Sequence, residues 1–240
     1  MDMSPTKTQS NENTSFLLHA CCGPCSLEPI RILRDRGIEP VVFYSNSNIA
    51  PLEEYERRRD TIRDWCKMHD VSFIEDDYSP CEWIDATKGL LAQKPNRCRE
   101  CYRIRFERAA KFAKENGFRG LGTTLTISPY QYTLTIKEEL KKACDKKDIN
   151  CFFEDYSTHY RAAQKRAKEE GLYRQNYCGC LPSKAEAEAE KKRTKAIKAK
   201  RQQEREEKLQ KQREEKADYA KKRAKQREIL KKMREERDAH

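Results

Sequence analysis

Phe16-Leu17-Leu18-His19-Ala20-Cys21-Cys22-Gly23-Pro24-Cys25 decides the fold: a short apolar run, then three thiols within five residues. The apolar run has the length and composition of a buried strand. Thiols this dense point to a metal, a cluster or redox chemistry rather than to packing.

Outward from that stretch, apolar runs alternate with helical patterns. Leu27, Ile30 and Leu33 have helical spacing, which predicts a helix over 27–36 closed by Gly37. Val41-Val42-Phe43-Tyr44 reads as a second strand. Leu52 to His69 reads as a helix with Pro51 in its first turn, and Val71-Ser72-Phe73-Ile74 as a third strand. Strand, helix, strand, helix, strand signifies βαβ units and a parallel sheet. Further helices are expected over 82–91, 99–116, 131–146 and 160–170, and strands over 121–127 and 151–153. In open α/β sheets, ligands gather beyond the carboxyl ends of the strands. The Cys21–Cys25 loop is therefore a site by position as well as by composition.

Charge divides the chain. Of the net +11, the 57 residues from Lys184 onward carry 22 Lys/Arg against 13 Asp/Glu, a net of +9. That segment has no glycine or proline after Pro182, and its apolar residues are too sparse for a heptad. It reads as a basic, charge-rich tail over 184–240, helical or disordered. Such a tail is either a solvated extension or an arm that raises RNA affinity without sequence choice. Residues 1–14 read as a disordered N-terminus and 15–183 as the α/β domain. No apolar leader precedes the cysteines, and no run approaches the roughly 18 apolar residues of a membrane span. All eleven cysteines lie within 1–180, and the count is odd. A reducing, cytoplasmic compartment is the expectation, with no membrane partner.

Three thiol groups stand out: Cys21, Cys22 and Cys25; Cys98-Arg99-Glu100-Cys101; and Cys178-Gly179-Cys180. Cys66, Cys81, Cys144 and Cys151 are isolated and read as small buried hydrophobes. A cubane cluster normally takes four thiolates, which Cys21/Cys22 with Cys98/Cys101 would supply. Cys22/Cys25 with Cys98/Cys101 has the spacing of a tetrahedral zinc site, and spacing does not separate the two. Seven clustered thiols suit redox work better than zinc alone. A Cys-x-Cys bridge closes a tight, strained ring, which makes it a poor staple and a usable electron store. Arg97, Arg99, Arg103 and Arg105, with Lys94, flank the second pair, and Tyr102 and Phe106 interleave. That combination suits a phosphate-bearing substrate with stacked bases, or a solvated helix face.

His19-Ala20-Cys21-Cys22-Gly23-Pro24-Cys25, Asn48-Ile49-x-Pro51, Glu54-Tyr55-x-x-Arg58 and Arg97-Cys98-x-x-Cys101-Tyr102 occur in that order. They are followed by Thr123-Thr124-Leu125, Ser128-Pro129-Tyr130 and Gly171-Leu172-Tyr173-Arg174-Gln175-Asn176-Tyr177-Cys178-Gly179-Cys180. Together, from about Phe16 to Ser183, they resemble the QueH family of epoxyqueuosine reductases. The resemblance implies a Rossmann-like parallel sheet of the HUP (adenine-nucleotide alpha-hydrolase-like) type. It implies reduction of epoxyqueuosine to queuosine at the wobble position of GUN-type tRNA anticodons, the last step of queuosine synthesis. It further implies a [4Fe-4S] cluster on Cys21, Cys22, Cys98 and Cys101, and a redox-active disulfide between Cys178 and Cys180. Cys25 also matches a family position near the cluster, as a candidate ligand for an additional metal ion, iron. An electron donor is implied but not identified. Gln131 departs from the family, where lysine is common, and 155–163 matches loosely. The phosphate cradle of ATP-using relatives is replaced by thiols, so ATP use is not expected.

His19 and Tyr177 are candidate proton donors, His19 also reading as a buried structural histidine. Two rival functions remain open on the residues alone. One is a thioredoxin-like dithiol oxidoreductase using Cys22-Gly-Pro-Cys25; the other is a zinc-stabilised RNA-binding module without catalysis.

Overall fold

The computed structural model describes residues 16–238. The expectation for residues 1–14 lies outside them. The chain divides into two compact units, one ending at Ala185 and the other beginning at Glu186.

The first unit is built on five strands: β1 (Phe16–His19), β2 (Pro40–Tyr44), β3 (Phe73–Glu75), β4 (Gly120–Thr123) and β5 (Asn150–Cys151). All pair in parallel, in the order β3-β2-β1-β4-β5. This is the expected Rossmann-like α/β sheet. Helices α1 (Gly23–Asp35), α2 (Leu52–Met68), α3 (Pro80–Thr87), α4 (Lys94–Glu115) and α5 (Thr133–Lys147) connect the strands, and α6 (Tyr160–Glu169) follows β5. Parallel strands need such crossovers, which cover both faces of the sheet.

Strand alternation sends neighbouring residues to opposite faces. Leu18 packs with Leu27, Ile30, Tyr44, Ile62 and Trp65, whereas Leu17 packs with Phe43, Phe106, Leu121, Ile136 and Leu140. Both leucines are fully buried, which explains why β1 reads as a continuous apolar run. On β4, Gly122 lies across from Leu18. A Cβ there would sit 2.7 Å from the Phe16 ring and 3.1 Å from the Phe152 carbonyl.

The strands step outward from β1 to β3, and the chain then returns to lay β4 on the other side of β1. The strand order thus reverses between β1 and β4, and the crevice beyond their carboxyl ends is the ligand position of such sheets. Three local readings change. Helix α1 begins at Gly23 rather than Leu27, because Pro24 suits a first turn that needs no donor. Helix α4 begins at Lys94 rather than Arg99, again with a proline in its first turn. Strand β4 ends at Thr123, and Leu125–Ile127 forms a 3-10 turn, although its apolar character reads as strand.

Leu181–Asp238 forms one helix, α7, which resolves the open choice for the tail in favour of helix over these residues. In the second unit, side chains 188–231 are exposed throughout, including Ile197, Leu209 and Tyr219. Ion pairs and amide bonds one turn apart, such as Lys200–Glu204, Asp218–Lys222 and Gln203–Glu207, run along it. It is a solvated, charge-laced helix.

Candidate functional site

A helix that follows a parallel strand starts at the strand's carboxyl edge. Helix α1, which directly follows β1, therefore opens beside the crevice with Cys25 in its first turn, whereas α4 follows α3 and carries Cys98 and Cys101. Cys22 caps α1 with extended backbone. The sulfurs of Cys21, Cys22 and Cys25 lie within 4.8 Å of one another, those of Cys21 and Cys22 at 3.7 Å. Cys25 thus sits with the paired cysteines rather than apart from them. Gln175 reaches over from the segment after α6, its Nε2 donating to Cys22 Sγ at 2.8 Å and lying 3.6 Å from Cys25 Sγ.

The second pair lies on the first two turns of α4, where Cys101 packs with Trp83 and Cys180. Cys178 is fixed from two sides. Gln131 Nε2 donates to its sulfur at 3.3 Å, while Tyr102 Oη donates to Gln131 Oε1. Its backbone is held by Arg58, which donates to the carbonyls of Cys178 at 2.9 Å and Tyr177 at 3.1 Å. Gly179 has φ +147°, and a Cβ there would lie 2.9 Å from Ile49 and 3.0 Å from the Asn48 amide. Ala50 N–H donates to the Gly179 carbonyl, and Gly179 N–H donates to Ser183 Oγ. The Cys-Gly-Cys turn is therefore clamped along its backbone, while its sulfurs face Gln131 and Cys101.

Two guanidinium groups are buried against these thiols. Arg58 is 1% exposed and pairs with Glu54. Arg105 is 3% exposed, donates to Asn46, and its charge acts on Cys101, Cys21 and Cys178. One side chain thus touches electrostatically on all three thiol groups. Cys21 is held well below the usual thiol value, first by hydrogen bonds from Cys22 and Cys25, with Arg105 and Arg58 adding to the effect. Cys22 is raised by burial and then by Cys21, and Cys25 is raised chiefly by its bonds to the other two. Burial pushes Cys98 to about 12 and Cys101 to about 11. Burial also raises Cys178, against the lowering effect of Gln131.

The donor set fits a soft metal centre. Thiolates select iron–sulfur clusters, zinc or Cu(I) over hard cations. Arg105 Nε and Gln175 Oε1 are buried against the thiols with no hydrogen-bond partner of their own, and both are available to a bound group. Two buried positive charges also suit a centre whose thiolates leave it net negative.

The structure narrows some sequence readings and corrects others. His19 is fully buried; its Nε2 donates to the Ser45 carbonyl at 3.2 Å, and its Nδ1 lies 3.0 Å from Thr123 Oγ1. Burial, then Arg105, lowers it to about 3, so it stays neutral and structural. The Tyr177 hydroxyl donates to the Ala50 carbonyl at 2.7 Å. The arginines around the second pair do not form a free phosphate face: Arg97 and Arg105 are buried, Arg99 bonds Glu138 and Glu139, and Arg103 bonds Glu100 and Glu107. Tyr102 and Phe106 are core residues, 2% and 0% exposed, and cannot stack bases. Cys22 and Cys25 are buried at 1% and 5%, against the exposed, low-pKa first thiol a thioredoxin-like reaction needs. Of the isolated cysteines, Cys66 and Cys144 are buried, Cys151 is half-buried, and Cys81 is exposed. Gln131, Gln175 and Arg105 are visible in the sequence only as a family departure, a motif member and a flanking charge, because their contacts at the site join residues distant in sequence.

Comparison with known proteins gives a family. The family model described as Epoxyqueuosine reductase QueH matches residues 16–186. The chain is 36% identical over 175 residues to the epoxyqueuosine reductase QueH of Acinetobacter baylyi, covering 70% of this chain and 79% of that protein. It is 33% identical to that of Haemophilus influenzae, covering 71% and 72%, and 33% identical to that of Thermotoga maritima, covering 70% and 88%.

Proposed function

The chain belongs to the QueH family of epoxyqueuosine reductases, and is therefore an oxidoreductase; we propose that it reduces epoxyqueuosine to queuosine at the wobble position of GUN-type tRNA anticodons. In this reading residues 15–183 form the reductase domain, and 184–240 form a basic arm that adds to RNA affinity. Cys21, Cys22, Cys98 and Cys101 hold a [4Fe-4S] cluster, and Cys25 lies where an additional iron ion would bind. The four thiolates would come from the β1–α1 turn and from α4. When bound, such a cluster supplies single electrons and a Lewis-acidic edge.

The chain's own residues supply the rest. Cys178 and Cys180 each give up one electron and one proton as an S–S bond closes between them. Both C–O bonds of the epoxide break, a C=C bond forms, and the oxygen leaves as water with the two protons. An electron donor, still to be identified, returns the pair to the dithiol. Gln131 orients the Cys178 sulfur, and Arg58 fixes the turn that carries both thiols. The neutral, buried His19 ties the ends of β1 and β4 beneath the site. A cytoplasmic setting suits this chemistry, because eleven free thiols persist where thiols are kept reduced. Among the described residues, no helix is long and apolar enough to cross a membrane.

The observation that carries the reading is the packing of Cys180 against Cys101, with the neighbouring Cys178 held at its sulfur by Gln131 and at its carbonyl by Arg58. A redox pair and a cluster's ligands would have to meet in this way. Protein purified without oxygen tests it. Wild type should contain iron and acid-labile sulfide, Cys98→Ala should lose both, and Cys178→Ala should keep both while losing turnover. Stoichiometric zinc without sulfide, or normal turnover by Cys178→Ala, would overturn the assignment.

A further inference from the structure

An aromatic residue on the turn that positions the Cys178 sulfur faces solvent. Tyr130 is 77% exposed, although it directly precedes Gln131, the residue bonded to Cys178. The turn holding it is ordered: Gln131 N–H donates to the Ser128 carbonyl at 3.1 Å, and Tyr130 N–H lies 3.4 Å from Ser128 Oγ. The Tyr130 ring meets Tyr160 at the start of α6, with centroids 6.2 Å apart and planes at 87°. An edge-to-face pair of this kind fixes one ring while leaving much of its surface open. Tyr160 extends the pair toward the other thiol group. Its hydroxyl is raised by burial first and then by Tyr130, and it also feels Cys25, Cys22 and the opposing charge of Arg174. Arg174 and Arg161 are both exposed beside it. Tyr130 therefore joins the turn that carries Gln131 to the start of α6.

We propose that Tyr130, braced by Tyr160, is the stacking platform for the wobble base of the tRNA anticodon, with Arg174 placed for a flanking phosphate. The proposal rests on the reductase reading and adds how its substrate is held. Enzymes that act on one nucleotide of a loop take it out of the stack and sandwich its base against aromatic side chains. The buried Tyr102 and Phe106 cannot serve; of the two tyrosines that flank Gln131 in sequence, Tyr130 is 77% exposed and paired with a second ring, whereas Tyr132 is 36% exposed. A protein partner docking here would bury the exposed Tyr130 but would not need a ring edge-on to a second ring beside a redox sulfur.

The test is equilibrium binding of a synthetic anticodon stem–loop with guanine at the wobble position, read by fluorescence anisotropy on full-length protein. Tyr130→Ala should weaken binding about tenfold, the effect of losing one stacked base. Tyr130→Phe should bind as wild type does. A stem–loop abasic at the wobble position should bind wild type and Tyr130→Ala alike. Equal affinities of wild type and Tyr130→Ala for the intact stem–loop would overturn the proposal, as would a penalty that persists on the abasic one. Unchanged absorbance near the cluster band and unchanged circular dichroism exclude misfolding as the cause. Conversion of epoxyqueuosine by wild type is measured separately. Turnover without dependence of binding on Tyr130 defeats only the platform, whereas Tyr130-dependent binding without turnover defeats only the reductase reading.

Discussion

Gly179 shows how closely the redox turn is specified. Its φ of +147° disfavours any side chain, and a Cβ would press on Ile49 and Asn48. Gly179→Ala should therefore cost about 1–3 kcal/mol and lower the melting temperature; a melting curve superimposable on wild type would show that the turn is not held as described. Arg105 makes a second case. Arg105→Met removes a buried charge from beside the thiols and strands the Asn46 amide oxygen. Leaving a buried polar partner uncompensated costs about 1–3 kcal/mol. Iron content per chain should fall in this variant even where circular dichroism is preserved, and full iron occupancy would argue against Arg105 as the counter-charge. The thiols were legible in the sequence because cysteine spacing is a local signal. The buried arginines were not, because a charged residue read in isolation defaults to solvent or to a phosphate. Only the fold brings Arg58 to the Cys178 carbonyl and buries Arg105 against Asn46.

At the scale of elements, the alternation of apolar runs and helical periods correctly gave the βαβ pattern and the parallel sheet. Boundaries erred where turn chemistry competed with apolar character. Leu125-Thr126-Ile127 is buried as a 3-10 turn, so its hydrophobicity reports burial rather than strand. Pro24 and Pro95 mark the true first turns of α1 and α4, each earlier than the apolar spacing suggests. Those earlier starts matter, because they place Cys25 in the first turn of α1 and Cys98 and Cys101 within the first two turns of α4. Strand β4 depends on Gly122 to approach Phe16 and Phe152. Gly122→Val should displace β4 and destabilise the sheet by overpacking, about 1–3 kcal/mol. Chemical denaturation should show a lower midpoint with an unchanged slope, and an unshifted midpoint would contradict the close approach.

The two units divide the labour at the scale of the molecule. The first gathers thiols at the switch point of its sheet, and the second is a solvated helix rich in Lys and Arg. Its net charge was legible from composition, whereas its helicity was not, since sparse apolar residues give no periodicity to read. Removing 186–240 should leave iron content unchanged and weaken tRNA binding mainly at low salt, with a shallower dependence of log affinity on log salt. An unchanged affinity and slope would make the arm irrelevant to RNA. The central claim concerns the first unit, and one measurement addresses it directly. Anaerobically reconstituted protein, supplied with a reductant and tRNA carrying epoxyqueuosine, should yield queuosine on nucleoside mass analysis, 16 mass units lighter for the one oxygen lost (roughly, from the epoxide-to-alkene balance in which one step removes one oxygen). Recovery of epoxyqueuosine alone, from protein with its iron and sulfide intact, would contradict it.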